Sequence, residues 1–208
     1  MHRRSFDDLV DEAEAADVDG WDFSWLDGRA TEERPPWGYV TMLSSRLTTA
    51  TTVLDLDTGG GEVFAEALAA ATARPERVVA TESWPPNVIR AAATLAPRRV
   101  AVVRASGGAD LPFGTASFDL ISSRHPVAVP WSDLARVLRP GGTYLAQHVG
   151  PGTNAELTEY LMGPQPVGDH RRPQQAVAEA EAAGLTVVDL REATLTVEFF
   201  DIGAVIFF

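Results

Sequence analysis

A glycine-rich turn after an apolar segment is the part of the sequence best suited to chemistry. Residues 53–62 read VLDLDTGGGE, so a strand-like run breaks into Gly59, Gly60 and Gly61. Glycines at such a turn let a ligand approach the backbone closely, because they carry no Cβ. An ordinary tight turn would bear the entropic cost of three glycines without any gain. We therefore expect this turn to bind a nucleotide-like ligand.

Two acidic residues stand where their carboxylates could contact the same ligand. Asp55 lies inside the end of the strand, where it can orient the turn and interact with a cationic amino-acid group. Glu82 follows about twenty residues past the glycines, at the end of the next strand, where a carboxylate can accept two hydrogen bonds from ribose hydroxyls. A dinucleotide fingerprint would need a small residue three positions after Gly61, but Phe64 stands there. The spacing therefore disfavours a pyrophosphate ligand.

The elements that must position these residues follow a βαβ rhythm from residue 51 onward. This rhythm predicts a parallel sheet with helices on both faces. The predicted strands are 51–56, 77–81, 100–104, 118–122, 143–148 and 185–190. The predicted helices are an amphipathic one at 5–16, an alanine-rich one ending at Ala73, one opening at Pro85, and three more at 132–138, 154–162 and 174–183. Residues 194–208 are apolar and strand-prone, and the tail from residue 192 must supply a last strand or a helix leading to one.

The order of these motifs is similar to that of a known family. The turn resembles the D-x-G-x-G-x-G first motif of class I S-adenosylmethionine-dependent methyltransferases: Asp55, Gly59 and Gly61 match, and Asp57 stands at the first glycine. Four further segments follow in the family's order between residues 50 and 190. The resemblance implies an α/β, Rossmann-like, mostly parallel seven-stranded sheet, without its last strand if the tail does not supply it. It also implies helices on both faces and an N-terminal helical and aromatic cap.

The resemblance further implies S-adenosyl-L-methionine as the cofactor. Glu82 corresponds to the family's ribose-binding acid, and Trp84 beyond it could wall the adenine ring. Residues 105–113 resemble the family's G-D-A-x-x-L-P-F segment, with Gly107 where an adenine-contacting aspartate often stands and Asp110 as its substitute. The predicted cofactor-binding residues are Asp55, Asp57, Gly59, Gly60, Gly61, Glu82, Ser83, Trp84, Ser106, Gly107, Gly108, Ala109, Asp110 and Ser123.

Chemistry is expected in the loop after the fourth strand of the family, where α/β sheets bind their ligands. His125 could take a proton from an attacking hydroxyl or amine, and Arg124 could hold an anionic substrate. The alternative needs no base, because methyl transfer from a sulfonium can proceed by positioning alone.

Substrate contacts are expected from two other regions. The aromatic segment corresponds in position to the variable cap of the family, and one residue at the end of the fifth strand should face the pocket. The predicted substrate-binding residues are Trp21, Trp25, Arg29 and Trp37 in the cap, and Gln147 or His148 on the strand. We expect one methyltransferase domain over residues 1–208, with the cap at 1–45 and the Rossmann-like core at 46–208.

Composition limits the partners and the location. Acidic residues outnumber basic ones 29 to 17, so the net charge of -12 disfavours nucleic acid. The chain has no cysteine, and its four histidines show no metal spacing, so we expect no disulfide and no metal. No apolar stretch resembles a signal peptide or a membrane span, which makes the cytoplasm the expected location. The sequence is compatible with a homo-oligomer.

The sequence therefore predicts a methyltransferase that acts on an unidentified small-molecule acceptor. A second interpretation is a non-catalytic cofactor-binding or scaffolding protein whose motifs have drifted, for which Asp57 and Gly107 are the evidence. A third is an NAD(P)-dependent oxidoreductase. It is less favoured, because the glycine spacing differs and the chain contains no lysine for a Tyr–Lys pair.

Overall fold

The computed structural model describes residues 4–16, 23–105, 108, 110–165 and 171–208. The chain divides into two compact units, one formed by Trp37–Arg191 and the other by Met1–Pro36 together with Glu192–Phe208. The helices and strands are α1 (Phe6–Glu14), β1 (Ala30–Glu32), α2 (Tyr39–Thr49), β2 (Thr52–Leu56), α3 (Glu62–Ala70), β3 (Arg77–Glu82), α4 (Pro85–Leu95), β4 (Ala101–Arg104), β5 (Phe118–Arg124), α5 (Trp131–Val137), β6 (Leu138–Gln147), α6 (Ala155–Met162), α7 (Pro173–Ala182), β7 (Val197–Phe199) and α8 (Ile202–Phe207).

The larger unit is built on a parallel sheet of five strands in the order β4-β3-β2-β5-β6. The chain starts in the middle at β2, winds outward to β4, then crosses to β5 and winds the other way. The winding therefore reverses between β2 and β5, and open α/β sheets bind ligands at the carboxyl ends of the strands at such a switch point.

Two apolar layers cover the faces of this sheet, because successive residues of each strand point to opposite sides. Val53 faces one layer, with residues of α2, α3 and α4 such as Leu43, Phe64 and Leu95. Leu54 faces the other, with residues of β5 and α5. All five residues of β2 are buried, so the strand that leads into the glycine turn is the most enclosed of the sheet.

The smaller unit pairs the two ends of the chain. Ser5 caps α1 through a capping box with Asp8, and α1 packs against α8. β1 and β7 form a two-stranded antiparallel sheet in which Ala30 lies opposite Phe199. None of the helices in the described part of the chain is long and apolar enough to cross a bilayer.

The expected Rossmann-like parallel sheet is confirmed, with five strands where the family has seven, and the five strands predicted between residues 51 and 148 are all present. The strand predicted at 185–190 is wrong: these residues form no strand and are largely exposed. A strand needs a hydrogen-bonding neighbour, and among the described residues the outer edge of β6 has none.

The sequence leaves a strand and a helix open for the tail from residue 192, and the tail contains both. Only β7 is extended, and residues 202–207 form α8. The reason is local: the Asp201 side chain accepts a hydrogen bond from the Ala204 amide at 2.9 Å, and an aspartate at this position begins a helix.

Candidate functional site

The carboxyl ends of four neighbouring strands gather most of the residues that the sequence singles out. Asp55 of β2 lies beside Ser122 of β5, and Leu56 lies beside Ser123. Glu82 ends β3 on one side of β2, and Arg124 ends β5 on the other. These side chains therefore flank the switch point of the sheet, although they are far apart in the sequence.

The glycine turn is packed closely against α4. Gly59 and Gly61 have φ angles of 63° and 84°, in the left-handed region, and Gly60 lies between them. A Cβ on Gly61 would lie 2.9 Å from Cγ of Leu95, closer than two carbons tolerate. The Thr58 amide donates to the Thr81 carbonyl at 2.9 Å, which ties the turn to β3. Glycine is required here by both the backbone conformation and the neighbouring helix.

Glu82 joins the turn to the loop after β3. Its Oε2 accepts the Gly59 amide at 2.8 Å, and its Oε1 accepts the amides of Ser83 and Trp84 at 2.8 and 2.9 Å. The side chain is only 6% exposed. A carboxylate offers about four acceptor positions, so one remains for a ligand hydroxyl. Trp84 presents a half-exposed ring next to this carboxylate.

Asp57 stands where the motif that the turn resembles has a glycine, and it adopts a backbone conformation that favours glycine. Its φ of 51° lies in the left-handed region, which costs a residue other than glycine on the order of 1–3 kcal/mol. Aspartate is among the side chains that tolerate this region best. The substitution therefore preserves the path of the turn and adds strain and a carboxylate to it.

Asp55 is a carboxyl group held inside the protein. It is 6% exposed, and its Oδ1 accepts the Ser122 hydroxyl at 2.5 Å. Burial raises the pKa of Asp55 to about 7, with a contribution from the charge of Asp57, and the Ser122 hydrogen bond opposes this rise. A nearby cation would stabilise the ionised form, so this carboxyl is suited to an ammonium group.

Several polar atoms near the strand ends are buried without a hydrogen bond of normal geometry. They include the hydroxyls of Tyr39, Ser123, Tyr144 and Thr58 and the whole carboxamide of Asn87. Each such atom costs about 1–3 kcal/mol unless it finds a partner. Burial raises the pKa of both tyrosines, so they remain phenols at neutral pH. Polar groups of a bound ligand would satisfy some of these atoms, so the residues present fit the implied cofactor.

His125 is held by Gln147. The His125 amide donates to the Gln147 carbonyl at 2.7 Å, and Nε2 of the ring lies 3.1 Å from the Gln147 amide nitrogen. The contact occupies Nε2, and the tautomer of the ring decides which of the two groups donates. Burial, then Arg124 and His148, hold the pKa of His125 below its usual range, although its exposed surface lets water screen part of the effect. The imidazole is therefore neutral at pH 7.

Trp131 forms aromatic contacts with Tyr144 of β6 and with His148, which directly follows β6. The Trp131 ring, at the start of α5, is stacked on the His148 ring with 6.5 Å between the ring centres. It packs edge-on against the Tyr144 ring with 5.9 Å between the ring centres. Its Nε1 donates to Glu179 of α7 at 2.8 Å. Burial lowers the pKa of His148, so this ring is neutral as well. These contacts of Trp131 could not be predicted from the sequence, because a tryptophan at a helix start has no distinguishing local signal.

The predicted adenine-contacting loop is described only in part. Ser106, Gly107 and Ala109 lie outside the described residues, while Gly108 and Asp110 are exposed. The segment that follows is held by α5. The Arg136 guanidinium donates to the carbonyls of Phe113 at 2.6 Å and Leu111 at 3.0 Å, and the Asp133 carboxylate accepts the Leu111 amide. This clamp was not expected from the sequence.

The predicted cap residues make contacts within their own units. Trp21 lies outside the described residues. The Arg29 guanidinium lies 4.0 Å from the Trp25 ring centre and 2.6 Å from Glu12, and Trp25 stacks on Phe207 at 4.8 Å. Trp37, in the larger unit, is half-buried. A substrate role for these four residues stays a prediction.

Among the described residues, no three histidine, aspartate or glutamate side chains lie close enough together to hold a metal ion.

Part of the chain is similar to a known protein family. Residues 54–146 match the family described as a methyltransferase domain. A malonyl-[acyl-carrier protein] O-methyltransferase of Dechloromonas aromatica is 34% identical over an aligned length of 128 residues, and the match covers 52% of this chain and 47% of that protein. The chain thus spans about half the length of this curated relative.

Solved structures show the same fold at lower identity. A chain from the complex between the Haloferax volcanii Trm112 methyltransferase activator and a methyltransferase aligns with a TM-score of 0.59 and 21% identity, over 91% of this chain and 80% of that one. An S-adenosylmethionine-dependent methyltransferase from Mesorhizobium loti aligns with a TM-score of 0.55 and 17% identity, over 71% and 79%. At these identities the likeness concerns the fold.

Replacing Asp57 by glycine should stabilise the protein, because glycine adopts a positive φ without steric cost. We expect the free energy of unfolding in urea to rise by about 0.5–1 kcal/mol, once the added freedom of the unfolded chain is subtracted. Ala116, with a φ of 53° in the turn before β5, provides the matched control. Ala116→Gly should gain at least as much. A loss of stability in Asp57→Gly alone would contradict the strain argument.

Replacing Asp55 by asparagine should change how stability depends on pH. The folded-state pKa of about 7 lies above the unfolded value, so the folded protein holds this proton more tightly and loses stability as pH rises from about 4 to 7. Asp55→Asn does not titrate. Its unfolding free energy, relative to wild type, should therefore increase by at least about 1 kcal/mol between pH 4 and pH 8. If the unfolding free energies of the two proteins depend on pH in the same way, the pKa of Asp55 is not raised.

Proposed function

We propose that this chain, which carries a class I S-adenosylmethionine-dependent methyltransferase domain, transfers the methyl group of that cofactor to a small-molecule acceptor. The observation that carries the proposal is the Glu82 carboxylate, hydrogen-bonded to the Gly59 amide beside the switch point of the sheet. A carboxylate there suits ribose hydroxyls, and the glycine turn suits a ligand that lies against the backbone.

The amino-acid end of the cofactor would lie between β2 and β5. Its ammonium group would stabilise the ionised form of Asp55, whose burial otherwise favours the neutral carboxyl. The Tyr39 hydroxyl, at the start of α2 and 8% exposed, is near enough to Asp55 for the two to interact electrostatically. A polar group of the cofactor would give it a hydrogen-bond partner in addition to the Ser122 hydroxyl that it faces.

The adenosine end would lie toward β3 and β4. Glu82 has one acceptor position left for a ribose hydroxyl, and the half-exposed Trp84 ring offers a surface for the adenine. Asp110 and the backbone before it would contact the adenine edge, on a segment that Asp133 and Arg136 hold in place.

The acceptor would approach from the ends of β5 and β6. The cofactor, when bound, supplies a methyl group already activated by the sulfonium. Positioning is then the main task of Arg124, His125, Gln147 and His148, since His125 is neutral and its Nε2 is engaged by Gln147. The aromatic residues of the N-terminal segment and Arg29 remain proposed substrate contacts.

A second candidate is a protein that binds the cofactor without catalysis. Asp57 favours it, because a carboxylate at the first glycine position of the motif would repel the carboxylate of the ligand. Binding without methyl transfer to any acceptor distinguishes this candidate from the first.

Titration calorimetry with S-adenosylmethionine, S-adenosylhomocysteine and NAD tests the proposed function. We expect both adenosyl amino acids to bind and NAD not to bind, because the turn lacks the dinucleotide spacing. The 2′,3′-dideoxy analogue of S-adenosylhomocysteine should bind wild type about tenfold more weakly, equivalent to about 1.4 kcal/mol. In Glu82→Gln the affinities for S-adenosylhomocysteine and for its dideoxy analogue should differ much less than in wild type.

Thermal unfolding of ligand-free Glu82→Gln is the control, because the glutamine also disturbs the hydrogen bonds to Gly59 and Ser83. If the ribose hydroxyls matter equally in both proteins, Glu82 does not contact the ribose. If neither adenosyl ligand binds wild type, the proposed function is wrong.

A further inference from the structure

The end of β5 presents a cation beside the proposed position of the methyl group. Arg124 is the last residue of β5, one residue beyond Ser123, which pairs with Leu56 of β2. Its guanidinium is exposed, and in the described part of the chain it makes no ion pair or hydrogen bond. Its charge nevertheless acts on Tyr39 and His125. Arg124 therefore lies at the switch point with its five donors unused.

The groups around Arg124 offer little basicity. His125 has its Nε2 engaged by Gln147, and burial and the Arg124 charge both lower its pKa. His148 is stacked on Trp131, and its pKa is lowered by burial. Tyr39 remains a phenol. An acceptor that had to lose a proton during the reaction would find no suitable base among these side chains.

Asp55 is the buried carboxyl between β2 and β5, and it does not fill that role. Its Oδ1 is occupied by the Ser122 hydroxyl, and its side chain is enclosed under the turn. In the proposed function it faces the ammonium group of the cofactor, which holds it as a carboxylate.

A fixed cation without a base suits an acceptor that is already anionic and nucleophilic at neutral pH. Resting on the proposed function, we infer that the acceptor is a carboxylate, which Arg124 binds and the enzyme converts to a methyl ester. A planar guanidinium pairs with a carboxylate through two parallel hydrogen bonds, which would fix the direction of its oxygens. A carboxylate is ionised at pH 7, so it needs no base.

The transfer balances without any proton movement. One carboxylate oxygen forms a bond to the methyl carbon as the carbon–sulfur bond breaks, and that bonding pair stays on sulfur. The negative charge of the acceptor and the positive charge of the sulfonium disappear together, which leaves a neutral ester and a thioether. A neutral His125 is compatible with this step, whereas an alcohol or amine acceptor would release a proton that it accepts poorly.

The binding test uses the protein loaded with S-adenosylhomocysteine and two probes with the same chain, octanoate and octanol. We expect octanoate to bind measurably by calorimetry and Arg124→Gln to weaken it at least tenfold, while octanol binding changes little. Arg104→Gln is the matched control: Arg104 is the exposed last residue of β4, at the outer edge of the sheet, and its loss removes the same charge.

Two further measurements complete the test. The ring of His125, followed by NMR, should titrate below pH 6. With S-adenosylmethionine and an equimolar mixture of octanoate, octanol, octylamine and octanethiol, mass spectrometry should find methyl octanoate as the main product.

The inference is wrong if octanoate fails to bind, if Arg124→Gln and Arg104→Gln weaken it equally, if His125 titrates near 7, or if the alcohol, amine or thiol is the preferred acceptor. Each of these outcomes presupposes that S-adenosylhomocysteine binds. Failure of that first step would instead overturn the proposed function.

Discussion

The site depends on one connection, the hydrogen bonding of the Glu82 carboxylate to the backbone of two neighbouring loops. By accepting the amides of Gly59, Ser83 and Trp84, this side chain joins the turn after β2 to the loop after β3. The connection is available only because β2 and β3 are parallel neighbours that end at the same edge. Gly61, packed against Leu95, then fixes where α3 begins. The two loops therefore form one prearranged surface, and a ligand would find it without an ordering cost.

The same edge of the sheet carries features that oppose folding. Asp55 is a buried carboxyl, Asp57 holds a left-handed conformation, and several buried hydroxyls near them have no hydrogen bond of normal geometry. None of these is needed to build a five-stranded sheet, whose stability comes from the two apolar layers. Their concentration at the carboxyl ends of β2, β5 and β6 follows the general rule that strain and unpaired polar groups collect at functional sites. A cationic, hydrogen-bonding ligand would relieve several of them at once.

Sequence patterns predicted the features that are set by residues close together in the sequence. Alternating strands and helices, the glycines and the spacing of Glu82 were enough to predict the sheet and to place Glu82 beside the glycine turn. The strand predicted at 185–190 is wrong, because these residues have strand-like composition but no neighbour to pair with. The choice between strand and helix in the tail stayed open, because Asp201 starts α8 within an apolar run. The pairing of His125 with Gln147 arises from the register of β5 and β6, and Tyr39 and Trp131 are indistinguishable from core aromatics in the sequence. Such relations require the assembled fold.

The site can function as described only if a ligand binds against the joined loops at the switch point. The most direct measurement is a two-dimensional amide spectrum of isotope-labelled protein during titration with S-adenosylhomocysteine. The amides of Gly59, Gly61 and Ser83 should shift most and should saturate together with the calorimetric binding curve. Saturable binding that leaves these three amides unmoved, with the large shifts elsewhere in the chain, would contradict the account.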